Sequence, residues 1–264
     1  MSARLPDLRS SEWLWVPTGK CFEMTATSCV FEVLRLPDNM RGVAKLVQEG
    51  RRGLLESITK QWRAMNLSDT PNAARLMDSG ETTYHGKRAF FVVSELVDRM
   101  GTWCSGSDVK EAARVGLGIL TGLEALHAKG FSHNDVCPWS IGISTDDLPV
   151  LCTFKNAKKM GKVFFSQRPL FYAYRTTYES KPYHDVQSLL YTLIYMLDGK
   201  LPWAEDEDYA YDTEHRMAKR MAIMENLQSE TGVTRGLAQA SLEVVDAENP
   251  YEVARRALHE LERG

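Results

Sequence analysis

Near the middle of the chain the residues read Leu126-His127-Ala128-Lys129-Gly130-Phe131-Ser132-His133-Asn134-Asp135-Val136-Cys137-Pro138-Trp139-Ser140-Ile141. Apolar residues at helical spacing predict a helix over 108–128, which starts at the cap residue Asp108 and ends near Gly130. A second apolar helix is predicted over 185–198 and ends at Gly199. The polar segment is therefore a loop within a helical part of the molecule.

The residues before this helical part have the pattern of a small sheet. Two antiparallel strands joined by a turn at 37–39 are predicted between residues 23 and 45. Further strands are predicted at 75–78 and 89–95, and a one-faced helix is predicted over 48–65. The sequence therefore indicates an α+β protein with a strand-rich first part and a helical second part.

The polar loop resembles the catalytic loop of protein kinases, in which His-Arg-Asp is followed by a Lys-Pro pair and then by Asn. His133 and Asp135 match this pattern, and Asp135 takes the position of the catalytic base. Asn134 replaces the arginine, Cys137 replaces the lysine, and Ser140 replaces the metal-binding asparagine. The chain thus keeps the aspartate of the kinase pattern but lacks its arginine, lysine and asparagine.

The same resemblance extends to both sides of the loop. Thr153-Phe154-Lys155 stands where kinases have Asp-Phe-Gly, so Thr153 and Lys155 replace the aspartate and the glycine. Upstream, Val43-Ala44-Lys45 resembles the strand that carries the kinase lysine, for which Glu56 is the expected ion-pair partner and Glu49 is a competitor. A structural ion pair is the favoured role of Lys45, ahead of phosphate binding.

Two further parts of a kinase nucleotide pocket have counterparts in the chain. Glu23, Thr25 and Ser28 fall at the three positions of the glycine-rich loop. Glu95 and Val97 fall at the hinge, and with Lys45 and Glu56 they would form a vestigial nucleotide pocket. Each side chain in place of a glycine adds a Cβ that hinders close approach of the backbone to phosphate.

The resemblance covers residues 12–262 and is closest to the casein kinase 1 and vaccinia-related kinase group. It implies a bilobal kinase-like fold, in which residues 1–95 form an N-lobe with an antiparallel sheet and one helix. Residues 96–264 would form a larger, mainly helical C-lobe. Both lobes together make one kinase-like domain.

The substitutions argue against phosphoryl transfer. Magnesium prefers hard oxygen ligands such as carboxylates, whereas Thr153 and Ser140 offer neutral hydroxyls. Cys137 supplies no cation for the transferred phosphate. We therefore expect a pseudokinase that is not an enzyme, holds no metal, binds ATP weakly if at all, and regulates or scaffolds another protein. A related active kinase or one of its substrates is the expected partner class.

Two alternatives remain open at this stage. An unorthodox Ser/Thr protein kinase would act through Lys45 and Asp135, with Lys155 and Lys158 partly replacing the metal. A metal-independent nucleotide sensor would hold phosphates with Lys45 and Lys155. Binding of ATP with and without magnesium separates both alternatives from the pseudokinase.

Composition narrows the class of partner. The formal net charge is -3, which gives no field that favours nucleic acid or an anionic membrane. The chain has five cysteines without the spacing of a zinc site, and it shows neither a secretory segment nor an apolar run long enough to span a bilayer. These features predict an intracellular protein of the cytoplasm or nucleus.

Several residues have a structural role as their expected function. Asp185 is expected to accept hydrogen bonds from backbone donors under the polar loop, and His133 to be a packed scaffold residue. Trp62, Trp139 and Trp203 are expected to pack in the core or between the lobes.

Overall fold

The computed structural model describes residues 5–25, 27–98, 108–162, 171, 179–203, 222 and 232–263. The chain divides into two compact units. The first comprises Met1–Asp69 and Ala73–Asp98, and the second comprises Thr70–Asn72 and Arg99–Gly264. The predicted α+β class is confirmed, and the division into two units is compatible with a bilobal fold.

The first unit is built on an antiparallel sheet. Its strands are β1 (Leu8–Arg9), β2 (Leu14–Met24), β3 (Ser28–Leu36), β4 (Arg41–Gln48), β5 (Leu76–Tyr84) and β6 (Lys87–Glu95). They lie in the order β1-β2-β3-β4-β6-β5, and a short strand β7 (Val97–Asp98) follows. All neighbours in this six-stranded sheet are antiparallel.

One face of the sheet carries the core of the first unit. Phe31, Ala44 and Val93 lie directly opposite one another on β3, β4 and β6, and all three are fully buried. Directly paired residues point to the same face, so alternate residues of each strand join this core. The cluster comprises Leu8, Trp15, Cys29, Phe31, Val33, Ala44, Leu46, Tyr84, Ala89, Phe91 and Val93.

Helix α1 (Arg52–Met65) packs against β4, β5 and β6. Its Trp62 and Met65 are buried, at 7% and 1% exposure. The helix predicted over 48–65 is confirmed in type, although residues 49–51 form a 3₁₀ turn before it. Glycine has a low helix propensity, and Gly50 in that turn delays the start of the regular helix.

The second unit is mainly helical. Its helices are α2 (Val109–Ala128), α3 (Pro182–Asp198), α4 (Arg235–Asp246) and α5 (Pro250–Arg263). Its short strands are β8 (Phe131–Ser132), β9 (Ile141–Ser144), β10 (Pro149–Leu151) and β11 (Lys158–Lys159). β9 and β10 form an antiparallel hairpin, and β8 pairs with β11. Helix α2 contacts α3 and α5, and α4 lies against both α3 and α5.

Both ends of α2 and the C-terminal end of α3 lie where the sequence predicts them, whereas α3 begins at Pro182, before the predicted residue 185. The Asp108 carboxylate accepts a hydrogen bond from the Lys110 N–H at 3.3 Å and caps α2. Gly130 follows α2 with φ +81°, and Gly199 ends α3 with φ +75°. Glycine adopts this left-handed conformation at little cost, which is why both helices stop there.

The segment Thr70–Asn72 is held on α2 and β10. The Asn72 carbonyl accepts the Leu151 N–H at 2.8 Å, and its side-chain amide donates to the Pro149 carbonyl at 2.7 Å. Gly122 makes this approach possible, because a Cβ there would lie 2.7 Å from the Asn72 carbonyl oxygen. The glycine in the middle of α2 is thus required by packing.

The sequence patterns missed or shortened several elements. Strand β5 runs well past the predicted 75–78, because its ladder with β6 continues to the pair Tyr84 and Lys87 despite polar side chains. Strand β2 and helix α4 were not predicted. In α4 the buried face includes small or polar residues such as Ala238 and Ser241, which weakens the apolar period.

Candidate functional site

Ser140 and Cys137 close a tight turn in the polar loop. Residues 138–140 form a 3₁₀ turn, and the Ser140 Oγ accepts the Cys137 N–H at 2.9 Å. The same hydroxyl donates to the Cys137 carbonyl at 2.9 Å, and so does the Ser140 N–H. Both residues are fully buried. The hydroxyl at the position of the kinase asparagine is therefore used to hold its own loop together.

Asp135 is buried beside two residues that follow Phe154. The Asn156 Nδ2 donates to the Asp135 Oδ2 at 3.1 Å, and the Lys155 Nζ lies 3.9 Å from the same oxygen. The Asp135 side chain is 3% exposed, whereas that of Lys155 is 41% exposed. The retained base position thus has an amide and a cation as immediate neighbours.

Asn134 connects three segments through its side chain. Its backbone has φ +62°, a left-handed conformation that Asn tolerates better than most residues. Its Nδ2 donates to the carbonyls of Ser132 and Asn156 at 3.2 and 3.4 Å. Its Oδ1 accepts the Ser180 hydroxyl at 2.8 Å. The neutral amide of Asn134 therefore links β8, residue 156 and residue 180.

Asp185 accepts hydrogen bonds from the backbone of the polar loop, as expected. Its carboxylate accepts the backbone N–H groups of His133 and Asn134 at 2.6 and 2.7 Å. It also lies 2.8 Å from the His127 Nε2. Burial alone would raise the pKa of this carboxyl, but the bond to His127 and the neighbouring donors hold the pKa below its ordinary value. Asp185 is thus an ionised structural acceptor.

His133 is a packed scaffold residue, also as expected. It is fully buried, and its ring meets that of Phe154 edge-on at 5.4 Å. Its Nδ1 accepts the Asp135 N–H at 3.3 Å, so a neutral ring carries its proton on Nε2. Burial lowers the pKa of His133 below its ordinary value, which keeps the ring neutral at physiological pH.

The hydrogen bonds that hold the loop extend from Asp185 through His127 to Tyr251 on helix α5. The His127 Nδ1 lies 2.5 Å from the Tyr251 hydroxyl. Burial, followed by the nearby carboxylates of Asp185 and Glu124, raises the pKa of Tyr251 and keeps its phenol protonated. The sequence interpretation gave no role to His127 or Tyr251. Lone polar residues on apolar helices give no signal of partners far away along the chain.

The segment after β10 lacks a carboxylate and is mostly buried. Phe154 is 2% exposed, and Thr153 is half-buried. Burial, and then the nearby Cys137, raises the pKa of the Cys152 thiol to about 12. This thiol is therefore protonated and inert. Neutral groups thus occupy the whole segment up to Lys155.

In the first unit, the sheet register aligns two residues of the predicted pocket. Lys45 on β4 lies directly opposite Val30 on β3, and Val30 lies opposite Glu23 on β2. Lys45 is exposed, and within the described part of the chain it forms no ion pair with Glu56. The competitor Glu49 lies 3.7 Å from Arg88 instead.

The turn between β2 and β3 is closed by the residues at the glycine positions. The Thr25 Oγ1 accepts the Ser28 N–H at 3.0 Å and lies 2.8 Å from the Ser28 hydroxyl. The Thr25 N–H donates to the Ser28 carbonyl at 2.8 Å. Phosphate binding by such a loop depends on free backbone N–H groups. Here those of Thr25 and Ser28 are already bonded.

The hinge residues of the predicted pocket are also engaged. The Glu95 N–H donates to the Arg75 carbonyl at 3.0 Å, and the Glu95 carboxylate lies 3.3 Å from the Arg75 guanidinium. Val97 is buried at 7% exposure.

Trp139 was expected to be a packed residue, and it is instead exposed. Trp62 and Trp203 are buried, as expected, whereas Trp139 is 46% exposed. Its ring meets that of the buried Phe171 edge-on at 5.8 Å. The ring is exposed because the closed turn buries both of its neighbours and directs residue 139 outwards. Trp139 is thus an exposed aromatic side chain with its ring beside that of Phe171.

Two further features are absent from the residue ranges that the structure describes. Within these ranges, no group of three or more His, Cys, Asp or Glu side chains is arranged to hold a metal ion. The helices in the same ranges are too short or too polar to cross a membrane.

Comparison with known proteins gives one partial similarity. No protein-family model matches the chain. Over 101 residues the chain is 35% identical to the casein kinase 1-like protein HD16 of Oryza sativa subsp. japonica. This match covers 31% of the chain and 14% of the rice protein. The similarity suggests a kinase-like relationship.

Proposed function

We propose that this protein is a pseudokinase: a bilobal, kinase-like protein of the casein kinase 1 type that acts by binding another protein rather than by phosphoryl transfer. Ser140 carries the proposal. Its hydroxyl donates to and accepts from Cys137, and it is fully buried. A hydroxyl in that state is a poor ligand for a magnesium ion, which needs oxygen atoms open to the metal.

The other degenerate positions support the same conclusion. Thr153 is a neutral residue where a kinase holds its second metal ligand, and Cys137 brings no positive charge. The turn closed by Thr25 and Ser28 offers bonded rather than free N–H groups. Electrostatic stabilisation of the transferred phosphate would therefore be lost at several positions together.

Titration of the purified chain with ATP, in magnesium and in chelator, tests the proposal. We expect no magnesium-dependent shift of the unfolding temperature. A ligand at roughly 100-fold its Kd stabilises a protein by about 2.7 kcal/mol, so functional binding would be evident. A magnesium-dependent shift that Lys45→Ala abolishes, and that the control Lys87→Ala retains, would contradict a vestigial pocket.

Other outcomes identify the alternatives. Equal ATP affinity with magnesium and with chelator would indicate a metal-independent nucleotide sensor. Phosphate transfer that disappears in Asp135→Asn would indicate an active kinase and refute the pseudokinase.

The proposed partner is a protein, either a related active kinase or a substrate of one. Trp139 supports a binding role, because it is exposed and because tryptophan is enriched among the residues that contribute most to binding at protein interfaces. Affinity capture with the wild-type chain and with Trp139→Ala would test this role. We expect a specific protein to be retained by the wild type and lost from the variant; equal retention by both would remove Trp139 from the interface.

A further inference from the structure

The retained Asp135 has a neighbour that its role as a base does not explain. The Asn156 amide donates to its Oδ2 at 3.1 Å, and the Lys155 ammonium lies 3.9 Å from that oxygen. A carboxylate in the base position must accept a proton from the substrate hydroxyl. In this chain the oxygen faces an amide donor of the protein itself.

The position of Asn156 is fixed by the residue next to Asp135. The Asn134 amide donates to the Asn156 carbonyl at 3.4 Å, and its oxygen accepts the Ser180 hydroxyl at 2.8 Å. The Ser180 hydroxyl also lies 3.1 Å from the Lys162 carbonyl. We call Asn134, Asp135, Asn156 and Ser180 the clasp. Its members are neutral except for Asp135.

Because these side chains are buried, the loss of one of their hydrogen bonds would cost free energy of folding. Asn134, Asp135 and Ser180 are 4%, 6% and 2% exposed. A buried carboxylate that loses its donor pays a desolvation cost that water does not compensate. Amide and hydroxyl groups satisfy the carboxylate and each other without the cost of burying a further charge. The clasp thus gives the buried Asp135 side chain a hydrogen-bond donor from within the chain itself.

We propose that Asn156 is a positioning residue, which donates a hydrogen bond to the Asp135 carboxylate and shields it from substrate. The retained carboxylate then serves as a structural acceptor and not as a base. This inference rests on the proposed function, because it explains why the base position persists in a chain that does not transfer phosphate. It adds an inhibitory contact inside the chain to the loss of the metal ligands.

A swap of the two side chains tests the contact. We expect Asp135→Asn and Asn156→Asp each to lower the unfolding temperature by roughly 5 °C, since one loses the carboxylate and the other brings two carboxylates together. The double variant D135N/N156D restores one carboxylate and one amide and should recover at least half of the loss. Additive losses in the double variant would overturn the clasp. Asp146→Asn, the same change at an exposed carboxylate, is the matched control.

A second measurement does not depend on stability. Labelling of carboxyl groups with a water-soluble carbodiimide and an amine, read by mass spectrometry, reports whether Asp135 is accessible. We expect slow labelling in the wild type and several-fold faster labelling in Asn156→Ala, with Asp146 unchanged as the internal reference. Equal labelling rates at Asp135 in both proteins would show that Asn156 does not shield the Asp135 carboxyl group from solvent.

The two proposals fail in different ways. Phosphate transfer by the unmodified chain that depends on Asp135 would refute the pseudokinase. Additive swap energetics or unchanged labelling would refute the clasp and leave the pseudokinase standing.

Discussion

Two tryptophans of the second unit differ sharply in their surroundings. Trp203 is 1% exposed, and its ring meets that of Tyr191 edge-on at 4.8 Å. Trp139 has one aromatic contact described, with Phe171, and is 46% exposed. The two side chains are chemically identical, so the difference in burial alone should set their energetic roles.

Truncation of each tryptophan should therefore give very different results. We expect Trp203→Ala to lower the free energy of unfolding by about 3–5 kcal/mol, because it leaves a cavity among buried rings. Trp139→Ala should lower it by about 1 kcal/mol or less, because half of its surface is already in water. Urea unfolding of both variants measures the difference. Equal losses would mean that Trp139 is a core residue.

Neutral side chains occupy the four positions that the sequence resemblance aligns with the Arg, Lys, Asn and Asp of the kinase motifs. Asn134, Cys137, Ser140 and Thr153 all lie in buried or half-buried surroundings. An uncompensated charge is expensive in such surroundings, whereas amides and hydroxyls can bond to the backbone beside them. Ser140 with Cys137, and Asn134 with Ser180, are examples. At Ser140 and Asn134, neutral groups thus hold the loop together.

At the scale of elements, glycines in two helices have opposite meanings. Gly122 in α2 lies so close to Asn72 that a Cβ would fall 2.7 Å from its carbonyl oxygen. Gly53 in α1 has no atom near the place where a Cβ would be. The first glycine is required by packing, and the second only weakens its helix.

The same substitution should therefore have opposite signs in the two helices. We expect Gly53→Ala to stabilise the protein by roughly 0.5–1 kcal/mol, since alanine is the better helix former and nothing opposes it. Gly122→Ala should destabilise it by about 1–3 kcal/mol, because backbone of the segment 70–72 must move. Chemical unfolding of both variants measures the signs. Stabilisation by Gly122→Ala would show that this packing is loose.

Helices with a long apolar period and a capping residue could be predicted from the sequence. For α2, both Asp108 and Gly130 are visible as signals, and the helix lies between them. The closed turns could not be predicted, because a Ser or Thr that bonds its own backbone looks like any polar residue in a loop. The exposure of Trp139 follows from such a turn. Its contact with Phe171 depends on the three-dimensional fold, which no sequence spacing encodes.

The candidate site also combines features that the sequence predicts with features that it does not. The positions of Asp135, Ser140 and Thr153 follow from the resemblance to kinases, since order and spacing identify them. The contact of Asn156 with Asp135 does not follow from it, because residues 21 positions apart in the chain meet only through the fold. The resemblance thus predicts which positions are degenerate, whereas the bonds that the residues at these positions make are visible only in the structure.

For the whole molecule, two buried groups set how stability depends on pH. Burial lowers the pKa of His133 below 6.5, so the unfolded chain binds a proton that the folded chain resists. Stability from this residue is therefore lost as the pH falls below 6.5. The pKa of Asp185 lies below 3.8, so its contribution is present above that pH and is lost as the pH falls through its folded pKa.

The two effects act in the same direction and predict a protein that weakens in acid. We expect the free energy of unfolding to fall between pH 7.5 and 5.5, and to fall again below pH 4. His133→Asn retains an acceptor for the Asp135 N–H but does not titrate, so it should flatten the first decline. The exposed His259→Asn is the control and should leave the decline unchanged. An unchanged decline in His133→Asn would assign it to other groups.

The turn that Ser140 closes also limits which side chains residue 140 can accept. Asparagine at residue 140 would have to fit a larger side chain into a site with no exposed surface. It would also remove the one atom that both accepts the Cys137 N–H and donates to the Cys137 carbonyl. Under the proposed function, a magnesium site would need new ligands at residues 140 and 153 together. The change at residue 140 would cost stability before the change at residue 153 could bring any gain, so the closed turn would make the loss of the metal hard to reverse.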